Sequence, residues 1–156
     1  MTVHAMTARE IPTQRLVPEL YCRDFGVSVA FYRDVLGFRA LYERPEDRFA
    51  YLDREGAELM LEEITPDHDF TWLTGRLETP FGRGINFQIE VSDLDVLLGT
   101  IQHNGAKLRR EPWEKWYRAG DREVGQRQFL VQDPDGYLLR FCQDIGERSQ
   151  GTGALS

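Results

Sequence analysis

One pattern occurs twice in this chain, and it limits the folds available more than any other feature. The first copy opens with ELYCRDFGVSVAFYRDVLGF from Glu19, the second with FQIEVSDLDVLLGTIQHNGA from Phe87. Each reads as a strand ending in an aspartate, Asp24 or Asp93, whose carboxylate suits a helix N-cap. Each then gives an amphipathic helix closed by a glycine, Gly37 or Gly105, suited to the left-handed position after a helix. The second helix places Leu94, Leu97, Leu98 and Ile101 at i, i+3, i+4 and i+7. The first is expected to use Val27, Ala30, Phe31 and Val35 in the same way. Further on, AYLDREGAELMLEEI and FLVQDPDGYLLRFCQDI carry the same D-x-x-G turn, Asp53/Gly56 and Asp133/Gly136, between two apolar-rich strands. Each copy is therefore strand, helix, then about three strands. The fold class is α+β, with paired βαβββ modules forming a curved mixed sheet around a cleft and the helices outside.

The expected organisation is an N-terminal arm over 1–14, a single domain over 15–146 and a flexible tail over 147–156. Within the domain the modules span 15–65 and 84–146, joined by a linker over 66–83 that carries Pro66, Pro80, Gly82 and Gly84. The chain has 156 residues with 19 Lys+Arg against 26 Asp+Glu, a net charge of −7, which argues against nucleic acid as a partner. No apolar run approaches a membrane span, and no secretory h-region opens the sequence. With only Cys22 and Cys142, a reducing cytoplasm is the expected location.

The runs RDFGVSVAFYRDVLGF at 23–38, VSDLDVL at 91–97 and DPDGYLLRF at 133–141 resemble the vicinal-oxygen-chelate superfamily. That family takes in glyoxalases, extradiol dioxygenases and bleomycin-resistance proteins. The resemblance covers about residues 16–144. It implies a concave sheet face that holds ligands, and in metal-dependent members four His, Gln or Glu ligands upon it. Carried through the two copies, those positions fall on Val17, Met60, Asn86 and Arg140. A valine has no lone pair, a thioether is soft and neutral, and an arginine brings its own positive charge. No metal and no cofactor is therefore expected. A relocated site would have to draw on Glu19, Glu62 and Cys142, one pleat away. His4, His68 and His103 lie in arm, linker and helix end and read as surface residues.

Strand alternation puts Leu20, Leu59, Leu61, Phe87, Ile89, Val91, Leu139 and Phe141 on a helix-facing side. The opposite side receives Val17, Glu19, Tyr21, Met60, Glu62, Asn86, Gln88, Glu90, Arg140 and Cys142. Trp113, Trp116 and Tyr117 fall together in EPWEKWYRAGD, where the superfamily carries a cleft-edge loop. Planar rings among acids suit stacking and cation–π contact with a flat, cationic ligand; covering a core or a dimer contact is the competing role. Phe38, Phe49, Tyr51 and Trp72 are further candidate walls. The expected ligand-binding set is Glu19, Phe38, Tyr51, Met60, Glu62, Asn86, Gln88, Trp113, Trp116, Tyr117 and Arg140, with no catalytic residue among them. Similarity to bleomycin-resistance proteins implies a homodimer that sequesters a small aromatic or cationic antibiotic unchanged. The alternative is an enzyme of the superfamily, a lyase, isomerase or dioxygenase, with a relocated metal or a carboxylate base.

Overall fold

The computed structural model describes residues 12–67 and 72–150. The chain divides into two compact units, one taking in the chain up to Phe81 together with Asp133–Gly136, the other Gly82–Gln132 together with the chain from Tyr137. No helix among the described residues is long and apolar enough to cross a membrane. His4 and His68 lie outside the described residues, as does most of the expected arm.

The first unit follows the order strand, helix, three strands. β1 (Glu19–Cys22) leads into α1 (Phe25–Ala30), which continues as a π-helical turn over Phe31–Val35, and β2 (Arg39–Arg44), β3 (Phe49–Arg54) and β4 (Ala57–Glu63) follow. The sheet order is β1-β4-β3-β2, with β1 parallel to β4 and the other pairs antiparallel. Asp24 caps α1 by accepting from the Val27 N–H at 3.0 Å. In the β3–β4 turn the Gly56 N–H donates to Asp53 Oδ1 at 3.0 Å.

The buried face of the first helix differs from the expected one. Val27 is 54% exposed, and the buried positions are Ser28, Val29, Tyr32 and Leu36. Hydrogen bonding selects them. The Tyr32 hydroxyl donates to Asp133 Oδ2 at 2.8 Å, and Ser28 Oγ donates to Asp135 Oδ2 at 3.1 Å. A buried carboxylate needs such donors, so the helix turns its two hydroxyls inward instead of its best aliphatic stripe. The π turn widens the helix between these two contacts and displaces any strict 3.6-residue reading.

Those aspartates belong to the DPDG segment, which thus does more than reverse the chain. Asp135 Oδ1 accepts from the backbone N–H and the Nε of Arg23 at 3.1 and 2.8 Å, and its carbonyl accepts from the Phe81 N–H at 2.8 Å. Phe81, at the end of the expected linker, is 5% exposed and part of this core. Gly136 has φ +96, and a Cβ there would stand 2.4 Å from the Cβ of Pro80. Only glycine fits that approach.

The second unit repeats the order. β5 (Asn86–Glu90) and α2 (Leu94–His103) are followed by β6 (Leu108–Ala119), β7 (Arg122–Gln132) and β8 (Leu138–Ser149). Its sheet order, β5-β8-β7-β6, matches the first, again with one parallel pair. Asp93 caps α2 by accepting from the Val96 N–H at 3.1 Å. The expected stripe Leu94, Leu97, Leu98 and Ile101 is buried, over a core in which the Phe129 and Phe141 rings stack at 5.6 Å. Two boundaries differ from expectation. β8 runs on through Ser149, pairing Glu147 with Val124 and Arg148 with Glu123, so the first residues of the expected tail are strand. EPWEKWYRA, expected as a loop, is the body of β6.

Candidate functional site

Each sheet has one face against its helix and one turned away from it. In the first unit the face away from α1 holds an apolar cluster. Leu41, Phe49 and Tyr51 are buried there, with Val17, Tyr42 and Met60 packed against them. The Tyr42 ring stacks on Tyr51 at 5.3 Å and on Phe49 at 5.9 Å, and the Arg44 guanidinium lies 3.9 Å from the Phe49 centroid. Register carries the same face to Glu19 beside Met60 and to Tyr21 beside Glu62. Of the candidate walls, Phe49 and Tyr51 thus lie on the face away from the helix. Phe38 does not. It is 2% exposed and packs edge-on against Tyr32 at 5.4 Å, inside the helix-facing core, because it follows the helix directly and turns in with it.

One acid sits deep beside this cluster. Glu58, 8% exposed, accepts from the Tyr51 hydroxyl at 2.5 Å, from the N–H and hydroxyl of Thr13 at 2.9 and 3.0 Å, and from the Gln14 N–H at 3.3 Å. Burial pushes its carboxyl up, but these bonds together outweigh burial and hold it below its ordinary value. The Tyr51 phenol is pushed well above its usual range, by burial first and by the Glu58 bond next. The expected arm is tied, at its last two residues, to this chain's own glutamate. Glu62, further along β4, lines a cavity of about 530 Å³ with Glu46, Asp47, Arg48, Glu63, Thr65, Pro66 and Asp67. A second cavity, about 550 Å³, lies among Ile64, Leu73, Thr74, Gly75, Arg76 and Leu77. Neither follows from strand alternation, because connecting segments make most of both linings. Trp72, in the same connection, is 71% exposed.

In the second unit the face away from α2 carries two cross-strand rows. Gln88, Arg140, Leu130 and Arg110 form one, and Glu90, Cys142, Gln128 and Trp113 the next. Asn86, Gln88 and Glu90 are exposed along β5 while Ile89 is buried, as alternation requires. Trp113, Lys115 and Tyr117 alternate onto this face. Trp116 alternates off it. Its ring lies over Gly125, where a Cβ would come within 2.8 Å of both the indole and Ile145. The three aromatics grouped by sequence are therefore split by the period of a strand.

Both tryptophans already carry a cation. The Arg110 guanidinium stands 3.7 Å from the Trp113 ring, and that of Arg148 stands 4.2 Å from the Trp116 ring. Gln128, fully buried, donates from Nε2 to the Tyr117 hydroxyl at 2.5 Å. Cys142 is also fully buried, and burial raises its thiol pKa, so it is a poor nucleophile. Cys22 is buried on the helix side, its thiol pushed up to about 12, chiefly by burial. The sequence alone does not single out Arg110, Lys115, Gln128 or Glu58. Their signal is the alternation of β4, β6 and β7, which becomes readable once β6 is known to be a strand.

Two split βαβββ units with this capping and turn chemistry match one family model, the Glyoxalase/Bleomycin resistance protein/Dioxygenase superfamily, over residues 13–141. The chain belongs to that superfamily. It is 30% identical over 132 residues to a lactoylglutathione lyase of Haemophilus influenzae, covering 81% of this chain and 89% of that one. It is 28% identical over 142 residues to a bleomycin resistance protein of Geobacillus stearothermophilus, covering 83% and 96%. Among solved structures it is similar to TioX from Micromonospora sp. ML1, with 26% identity, a TM-score of 0.66, and coverage of 85% and 100%.

The positions that hold metal in metal-dependent members do not suit one here. In the first unit, Val17 and Met60 pack into the apolar cluster and present no charged donor. In the second, Asn86 is a neutral, exposed amide and Arg140 is a cation. Among the described residues no three His, Cys, Asp or Glu side chains are grouped so as to hold a metal ion.

Proposed function

We propose that this protein is a metal-free small-molecule-binding protein of bleomycin-resistance type, which sequesters an aromatic ligand without transforming it. The observation that carries this reading is the replacement of the metal-binding positions by packing groups and a cation, above all Val17 and Met60 within the aromatic cluster of Leu41, Phe49 and Tyr51. A face that has exchanged metal-ligating donors for stacked rings supports burial of apolar surface, worth about 25 cal/mol per Å², more than it supports bond polarisation. With Arg110 already over Trp113, a cationic ligand would meet a cation at that ring, so the aromatic part of the ligand dominates. Its surroundings are cytoplasmic, and the working form is a homodimer.

A second reading, a lyase or isomerase using a carboxylate base, is favoured by the name of the Haemophilus influenzae relative. One experiment separates the two. Metal-free bleomycin is titrated into the protein by tryptophan fluorescence and then recovered. Saturable quenching with unchanged drug supports sequestration. A recovered, altered compound defeats the binder class. No quenching up to about millimolar drug removes bleomycin-type ligands. Light scattering that gives a monomer at micromolar concentration removes the homodimer.

A further inference from the structure

Two buried polar groups on the second unit's open face have no hydrogen-bond partner among the described residues: Oε1 of Gln128 and Nε of Arg140. A buried unpaired acceptor or donor is costly, so a pair of them on one face calls for an explanation. Their placement gives one. Gln128 is paired with Cys142 and Leu130 with Arg140, which makes Gln128 and Arg140 diagonal neighbours on adjacent strands. Diagonal side chains on one face are about 7–8 Å apart at Cα, within reach of a single bridging group. The amide of Gln128 is held in place by its Nε2 bond to the Tyr117 hydroxyl, on the same face. Arg140 as a whole is half-buried while its Nε atom is buried, so the pair lies beneath the exposed part of the arginine.

We infer that Gln128 and Arg140 form the polar anchor of the binding face and take a carboxamide or peptide amide of the ligand. The inference rests on the small-molecule-binding reading above. An amide supplies a carbonyl oxygen to accept from Arg140 Nε–H and an N–H to donate to Gln128 Oε1, satisfying both orphaned groups with one planar unit. A carboxylate satisfies the arginine but sets its lone pairs against the Gln128 oxygen. A plain hydrocarbon ring satisfies neither. Trp113, cross-strand from Gln128, lies where an aromatic body attached to that amide would stack.

The test uses the full-length protein and three small probes: indole-3-carboxamide, indole-3-carboxylate and indole. Binding is followed by nuclear magnetic resonance of the Gln128 side-chain NH₂ and the Arg140 Nε–H. The expected result is saturable shifts of both signals with the carboxamide, which binds at least about fivefold tighter than indole or the carboxylate. Gln128→Glu and Arg140→Lys should each remove that preference while an unchanged backbone spectrum shows that the fold is kept. Tighter binding of the carboxylate overturns the proposal, as does carboxamide binding that leaves both side-chain signals still. Absence of binding by all three probes up to about 10 mM also overturns it. If bleomycin quenches the wild type and Gln128→Glu equally, this anchor is wrong and the binder reading stands. If the drug is recovered altered, the binder reading itself falls.

Discussion

The guanidinium of Arg110 lies 3.7 Å from the centre of the Trp113 ring, and both side chains project from the same face of β6. One face of that indole is thus covered from within the chain, and the proposed ligand would stack on the other. Trp116, three residues on, faces the opposite way and packs over Gly125. The two tryptophans should therefore respond differently. A stacking or cation–π contact is worth about 0.5–2 kcal/mol, so Trp113→Ala should weaken aromatic ligand binding by roughly threefold to thirtyfold. Trp116→Ala should leave affinity within about twofold but cost about 1–2 kcal/mol of folding stability through lost packing. Fluorescence titration and urea unfolding of both variants check this. Equal loss of affinity in the two would refute the assignment of faces.

The bond from Tyr32 to Asp133 ties the first helix to the DPDG turn, residues far apart in sequence and both buried. Tyr32→Phe keeps the ring against Phe38 but removes one donor from a buried carboxylate. A hydrogen bond to a charged group contributes about 1.5–3 kcal/mol, and for a chain of this size each kcal/mol moves Tm by about 2–4 °C. A fall in Tm of about 3–12 °C is expected on calorimetry. An unchanged Tm would mean that Asp133 is satisfied without the tyrosine.

These two cases mark how far the sequence could be read. Local grammar was legible: both Asp caps, both D-x-x-G hairpins and the α2 stripe follow from rules acting within a few residues, and the structure bears them out. The alternation along β5 was equally plain. The inward face of the first helix was not, because Ser28 and Tyr32 are chosen by Asp135 and Asp133, which no local window contains. β6 was obscured by Pro112 and by its charged residues, which suit an exposed edge strand as well as a loop. Read as a loop, the segment does not separate Trp113 from Trp116. Glu58 was hidden for a similar reason: its partners, Thr13 and Gln14, come from the segment set aside as an arm.

Metal content follows from the donor chemistry. Val17, Met60, Asn86 and Arg140 supply no thiolate, imidazole or carboxylate, and tight transition-metal sites are built from these. Untagged protein should hold far less than one equivalent of Zn, Ni, Mn or Fe, and added Zn²⁺ should leave Tm unmoved, since a ligand that binds only the native state raises it. About one tightly held metal per chain on elemental analysis would contradict this and advance the enzyme reading.

The Glu58 cluster gives the protein a distinct acid sensitivity. In the native state its carboxylate accepts from Tyr51, Thr13 and Gln14, and its pKa lies below the ordinary 4.5 despite burial. When the chain unfolds, those donors are lost and the carboxyl returns to its ordinary value. The unfolded state then binds the proton more readily than the native state, so stability falls as pH falls. The contribution is fully present above about pH 5 and disappears as pH drops through the native-state pKa, below 4.5. Glu58→Gln keeps the shape and one acceptor but cannot titrate. At pH 7 it should be less stable than wild type by about 1–3 kcal/mol, and the gap should close as the pH approaches 3. Tyr51→Phe, which removes one donor, should lose part of the same stability and raise the carboxyl's pKa towards its ordinary value. Urea unfolding of wild type and both variants between pH 3 and 7 measures the three curves. A constant gap between wild type and Glu58→Gln across that range would show that Glu58 has the same pKa folded and unfolded, so that its bonds to the Thr13–Gln14 segment do not lower it.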